Sequence, residues 1–179
     1  MSRKPKCIII TGQPGSGKTT LANKLGERLW MPVISRDEIK EGYVNTYGVK
    51  HDQLPADTNG LVSELFFGIV NQYLAGHISV VIEAAFQHKV WEPRMHKILE
   101  LASPLIVLCS ADDAVAARRH LQRGLENPNR EFYHGDERIA ITGKQAKFHL
   151  PRVIQRRNSK YPQSKSRQME NTSLVLMRL

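Results

Sequence analysis

The chain has 179 residues, 41% of them hydrophobic and 24% charged, which suits one domain with its own core. No apolar run reaches the roughly 18–20 residues of a membrane-crossing helix, the stretch after the basic Met1–Lys6 start is too short for a signal-peptide core, and Cys7 and Cys109 sit inside apolar runs as small buried hydrophobes, so we expect a cytoplasmic protein, neither secreted, membrane-spanning nor disulfide-stapled. The net charge of +9 lies entirely in one part of the chain: residues 1–117 hold twelve Lys/Arg and twelve Asp/Glu, whereas residues 118–179 hold fourteen and five, which suits an anionic partner (a polyphosphate nucleotide, a nucleic acid or an anionic metabolite) or a solvated basic face.

Cys7 to Thr11 is a β-branched run that reads as a buried strand ending at Gly12. Leu21, Leu25 and Leu29 repeat at helical spacing and predict a helix from about Lys18 to Trp30. Pro32 to Ser35 reads as a second strand, and Asp37 to Tyr43 as a helix with acids in its first turn. His51 to Ala56 is a polar loop. Asp57 or Thr58 caps a helix running to Ala75, with Gly76 as its stop. Ser79 to Ile82 is a third strand closed by Glu83. Val90 to Leu101 is helical, with Pro93 in its first turn. Pro104 to Cys109 is a fourth strand, and Asp112 caps a helix through about Arg123. Gly124 to Asp136 reads as a loop or lid, followed by a helix from about Ile139 with a break at Pro151. Lys160 to Asn171 is irregular, and Thr172 to Leu179 is a final strand. Strands alternating with helices predict an α/β domain built on a mainly parallel sheet.

Gly12-Gln13-Pro14-Gly15-Ser16-Gly17-Lys18-Thr19 matches the G-x-x-x-x-G-K-[ST] phosphate loop, the Walker A motif, at every position, with a strand before it and a helix after it. The glycines open backbone conformations closed to residues with a Cβ. The N–H groups of the loop, the following Thr20 included, then cradle anionic oxygens at a helix N-terminus. Lys18 reaches the β- and γ-phosphates, and the Thr19 hydroxyl ligates Mg²⁺. A Mg²⁺–nucleoside triphosphate site is the first expectation.

What happens to the phosphate is a separate question. The base-reading Asn-Lys-x-Asp of a guanine switch is absent from the sequence, since Asn23-Lys24 continues as Leu25-Gly26. Asp57-Thr58-Asn59-Gly60 spells D-x-x-G but follows a polar loop rather than a strand. The third strand ends in one acid, Glu83, where a motor ATPase often shows Asp-Glu. A compact kinase fits better. It needs a carboxylate to orient or deprotonate an acceptor hydroxyl, and cations on the transferring group. Asp37, just past the second strand, suits the first role at the sheet edge where α/β folds bind ligands, or it caps the helix that starts there. Glu83 would hold Mg²⁺ through water or orient a substrate, unless it is an ordinary strand-end acid. Arg119 and Arg123 share a helix face, with Arg118 beside them and Arg130 in the following loop. They suit a lid around residues 118–138 that closes over the triphosphate, or a solvated basic helix end. The seven histidines show no metal-ligand spacing, although His134-Gly135-Asp136 sits beside the lid. Phe66 and Phe67 read as core.

These residue groups together resemble the small phosphate-loop kinases that include polynucleotide 5′-hydroxyl kinases, zeta-toxin-type kinases and related predicted kinases. The resemblance covers about residues 7–138. It rests on Ile10 to Thr20, on Ile34-Ser35-Arg36-Asp37-Glu38-Ile39-Lys40, on Val80 to Phe86 and on Arg119-His120-Leu121-Gln122-Arg123. It implies a P-loop NTPase three-layer sandwich of nucleotide-kinase type with a mainly parallel five-stranded sheet. It also implies ATP with Mg²⁺, Asp37 as general base and a basic partner at Lys40. Polynucleotide kinases show Asp-Thr-Asn where this chain has Glu83-Ala84-Ala85, which turns the expectation toward the small-molecule side of the group. The expected activity is therefore transfer of the γ-phosphate of ATP to a hydroxyl on a small molecule. A polynucleotide 5′-hydroxyl kinase and a regulatory nucleotide-binding ATPase are the alternatives. The whole chain, 1–179, is expected to form one kinase domain with a basic segment at 151–179.

Overall fold

Strand β1 (Lys6–Gly12) divides its side chains by the two-residue period of an extended strand. Cys7 and Ile9 enter one core cluster, and Ile8 and Ile10 enter the other. A strand buried on both faces belongs at the centre of a layered α/β fold. In the computed structural model, which describes residues 3–85, 88–127, 129–134 and 172–178, β1 lies between two neighbours in the sheet order β2-β3-β1-β4-β5. Strands β2 (Val33–Ser35), β3 (Val80–Glu83) and β4 (Ser103–Ala111) run parallel to β1. Strand β5 (Thr172–Arg178) closes the far side antiparallel to β4. The sheet is therefore five-stranded and mainly parallel, as expected.

Helix α1 (Lys18–Leu29) covers one face through Leu21, Ala22 and Leu25, packed on Ile8, Ile10, Val81 and Val107. Gly26 allows this close approach, because a Cβ there would stand 2.3 Å from a Val33 methyl. Helices α3 (Thr58–Ala75) and α4 (His88–Leu101) cover the other face. Their centre is an aromatic triad. Phe66 and Phe67 meet edge to face at 5.1 Å, and Trp91 meets them at 6.1 and 5.0 Å. Arg94 lies 5.2 Å from the Phe67 ring centre and pairs with Glu64 across the two helices. Phe66 and Phe67 are thus core residues, as their place in the sequence suggests.

Three elements differ from expectation. Helix α2 (Arg36–Tyr47) starts a residue earlier and runs a turn longer, because its stop is Gly48. That residue takes φ 64° and donates its N–H to the Val44 carbonyl at 2.9 Å. Helix α4 begins at His88, so Pro93 lies inside it rather than in its first turn. The segment read as a loop from Gly124 is largely helical. Helix α5 (Asp113–Glu126) continues past Arg123, and a short α6 (Asn129–His134) follows. Asn127 is the signal for α6: its side-chain oxygen accepts the Asn129 N–H at 3.1 Å and its carbonyl accepts the Arg130 N–H at 3.0 Å. The helix expected from Ile139, the break at Pro151 and the irregular stretch 160–171 lie outside the described residues, as does most of the basic segment 151–179.

Candidate active site at the carboxyl edge of the sheet

The chain leaves β1 toward β2 and later returns to β4 on the opposite side of β1. The carboxyl end of β1 is thus the switch point where open α/β sheets form a ligand crevice. The loop from Gly12 to Gly17 occupies it. Gly12, Gly15 and Gly17 have φ of 151°, 78° and 88°. A Cβ on Gly12 would lie 2.0 Å from the Cys109 carbonyl oxygen, and one on Gly15 would lie 2.2 Å from that of Ala116. Gly17 differs, with nothing within 4 Å of the same position. Its strained conformation therefore faces open space at the N-cap of α1.

The loop is braced from outside. The Gln13 side-chain amide donates to the Ala111 carbonyl at 2.7 Å, and the Ser16 N–H donates to the Gln13 carbonyl at 3.2 Å. Pro14, Thr19 and Thr20 are exposed. The Ser16 hydroxyl is buried without a hydrogen-bond partner among the described residues. An orphaned hydroxyl inside a glycine nest suits an incoming oxyanion.

Lys18 donates its ammonium to the Gln13 carbonyl at 3.2 Å. Burial pushes its pKa below the ordinary lysine range, while the charges of Glu83 and Asp37 oppose that shift and Arg123 adds to it. Glu83 closes β3 and is 2% exposed. Burial raises its carboxyl above the usual range, against the pull of Lys18 and of a hydrogen bond from Ser35. That bond runs from the Ser35 hydroxyl to Oε2 of Glu83 at 2.9 Å, between residues in register on β2 and β3. Asp37 lies in the first turn of α2 with its side chain 57% exposed. Ser35, not Asp37, is the N-cap residue. Arg36 is turned to structural use: its guanidinium donates to the Ser63 hydroxyl at 3.2 Å and the Asn59 carbonyl at 3.1 Å, tying α2 to α3.

Lys18, Asp37, Glu83 and Arg123 therefore come from four elements into one electrostatic group. Arg119 stands one turn before Arg123 on α5, and its carbonyl accepts from Arg123 Nε at 3.4 Å. Arg130 lies on α6, half-buried. That helix docks on the acid-bearing side of the site. Lys50 pairs with Glu131 at 2.6 Å, the Tyr133 hydroxyl donates to Asn45 at 2.6 Å, and the His51 N–H donates to the Phe132 carbonyl at 2.9 Å. His134 meets Glu41 of α2 at 2.8 Å, so it contacts α2; Gly135 and Asp136 lie outside the described residues. Two contributors were missed in the sequence. Ser35 carries no signal there beyond the end of a strand and its place in the Ile34–Lys40 group, and Cys109 none beyond an apolar run. The Cys109 backbone walls the loop at Gly12, and its buried thiol, pushed up to about 11 by burial, is within the electrostatic influence of Lys18 and Glu83.

The sequence profile of the AAA domain family matches residues 7–141. The chain belongs to this family. The match spans both the loop and the helices that carry the arginines. Among solved structures, a protein of Chloroflexus aurantiacus J-10-fl provisionally named a kinase has the same fold, with a TM-score of 0.68 and 21% identity over 83% of this chain and 86% of that one. A chain of the Pnkp1/Rnl/Hen1 RNA repair complex follows, with a TM-score of 0.59 and 18% identity. The match covers 93% of this AAA-domain chain and 54% of the repair-complex chain, so the present protein spans about half of that relative. The comparison with curated protein sequences finds no match. The P-loop kinase-like fold expected from the sequence is thus the fold observed.

Proposed function

We propose that the chain is an ATP- and Mg²⁺-dependent phosphotransferase that moves the γ-phosphoryl group to a hydroxyl of a small molecule. The observation that supports this reading is a phosphate loop whose Lys18 stands within electrostatic reach of buried Glu83, of Asp37 and of Arg123. The loop N–H groups and Lys18 bind the phosphates. Asp37, exposed beside them, takes the proton of the acceptor hydroxyl as its oxygen bonds to the γ-phosphorus and the bond to the nucleoside diphosphate breaks. Arg123, with Arg119 one turn before it on α5 and Arg130 on α6, offsets charge on the transferring group. The donors for a cation would be oxygens, the Thr19 hydroxyl directly and the Glu83 carboxylate through water, which suits Mg²⁺. When bound, the ion neutralises phosphate charge. In this reading the chain is one kinase domain, with α5 and α6 as its Arg-bearing cover.

The test offers γ-labelled ATP and Mg²⁺ with a small-metabolite extract or, separately, a 5′-hydroxyl oligonucleotide. Label in a small molecule, lost in Lys18→Ala and in Asp37→Asn while Asp37→Asn still binds ATP, is the expected result. Label on the oligonucleotide would instead establish the polynucleotide reading, which the likeness to the RNA repair complex chain favours. Free phosphate alone would leave a regulatory ATPase. Full transfer by Asp37→Asn would remove the base assignment.

A further inference from the structure

At the opposite edge of the sheet the molecule presents a tryptophan to solvent. Trp30 is 95% exposed and follows α1 directly. It takes the left-handed conformation, φ 55°, at the position that ends a helix and normally favours glycine. The turn is otherwise well made, with the Met31 N–H donating to the Gly26 carbonyl at 2.9 Å. A glycine or asparagine would close this helix without strain. The largest side chain is held there instead, and folding gains no burial from it.

The residues next to Trp30 in the chain and along the same edge are apolar and basic in turn. Leu29, 45% exposed, precedes it. Ile78, 47% exposed, stands three residues before Val81, as Trp30 stands three before its register partner Val33. The same edge continues to the start of β1, where Arg3 and Lys6 are exposed. Arg28 is exposed in the last turn of α1, with Lys24 one turn earlier and Glu27 as the acid among them. Lys4 is engaged at the end of α4, donating to the carbonyls of Leu99 and Glu100.

The area and the charge narrow the partner. A presented indole with two half-exposed aliphatics offers apolar area on the order of 400 Å². A stable protein interface needs about 800 Å² on each side. Two copies carrying +9 each would also repel. A flat π-face among cations matches a nucleobase and its phosphates. We propose that Trp30, with Arg28 two residues before it and Lys6 exposed at the start of β1 on the same edge, is a stacking site for single-stranded nucleic acid, on the edge of the sheet away from the phosphate loop and independent of what the enzyme phosphorylates.

The chain reports on this site itself. It has two tryptophans, Trp30 in solvent and Trp91 in the core. Titration of the full chain with a single-stranded oligonucleotide of about 12 nucleotides is expected to quench the emission of Trp30 saturably. Trp30→Ala should weaken binding about five- to a hundredfold and leave an emission, from Trp91, that the oligonucleotide does not change. Arg28→Glu should weaken binding and flatten its salt dependence. Trp30→Gly suits the backbone and should melt no lower than wild type, so its loss of binding cannot be unfolding. Wild-type affinity in Trp30→Ala, or no quenching in the wild type, would overturn the proposal. So would a dimer in sedimentation that disappears in Trp30→Ala, which would make this edge a contact between copies.

Discussion

Gly15 and Gly17 share a strained backbone but not a neighbourhood, and their alanine variants separate the two effects. In both, alanine at φ near 80° is disfavoured by about 1–2 kcal/mol, offset by about 0.4–1 kcal/mol from a less flexible unfolded chain. For Gly17→Ala that is nearly all, since nothing lies within 4 Å of the new methyl. For Gly15→Ala the methyl would stand 2.2 Å from the Ala116 carbonyl oxygen, a backbone atom of a packed helix. Relieving that overlap shifts the loop or α5 and adds about 1–3 kcal/mol. At roughly 2–4 °C per kcal/mol for a chain of this size, Gly15→Ala should melt about 5–15 °C lower and Gly17→Ala only about 2–4 °C lower. Thermal unfolding followed by circular dichroism reads both. ATP affinity, measured in parallel, should fall in Gly17→Ala by more than its stability does, because its methyl enters the space assigned to phosphate oxygens. Equal melting shifts in the two variants would refute the steric account of Gly15.

Trp91→Ala should destabilise by about 3–5 kcal/mol in urea unfolding, because it empties the centre of the aromatic triad; a loss under about 1 kcal/mol would mean the helices repack. Burial raises the Glu83 carboxyl above its ordinary value of 4.5, so the folded state holds its proton more tightly than the unfolded state. Stability linked to this group is complete below the unfolded value and is lost as pH rises through the raised folded value. Glu83→Gln should therefore melt above wild type at neutral pH and lose that advantage in acid, while losing transfer activity; melting curves that differ by the same amount at every pH would contradict this. Removing the α6 contacts with Tyr133→Phe and His134→Ala should speed tryptic cleavage after Arg130 about tenfold or more, at about 1 kcal/mol for each lost hydrogen bond. An unchanged cleavage rate would show that α6 is held by other contacts.

The elements legible in the sequence were those whose signal is local. The β-branched run of β1, the leucine spacing of α1 and the phosphate loop each carry their own pattern. Lys18, Glu83 and Asp37 were legible because strand ends in a parallel sheet converge on one edge. Ser35 was not, because its role depends on the register of β2 with β3, which no local pattern encodes. The same holds for α6. Its sequence is polar and short, and it is held by partners on α2 and the segment after it, Asn45, Lys50 and Glu41, more than eighty residues away in the chain. The length of α2 is hidden for a different reason: Gly48 lies beyond a run too polar to mark a helix, and the stacked Tyr43 and Tyr47, 6.3 Å apart, extend it.

The contact of Gly15 with the Ala116 carbonyl bears on how sequences of this kind can change over time. It makes the stretch from Ala116 to Arg123 a gauge, seven residue steps long, whose zero is set on the phosphate loop. A helix rises about 1.5 Å and turns about 100° per residue. One inserted or deleted residue between those points would swing Arg123 away from Lys18 by more than a quarter of a turn. Lineages that keep phosphate chemistry at this edge should therefore vary freely in residue identity along the outer face of α5, yet hold that spacing constant, and should place their length changes beyond Glu126, where the helix has finished its measurement.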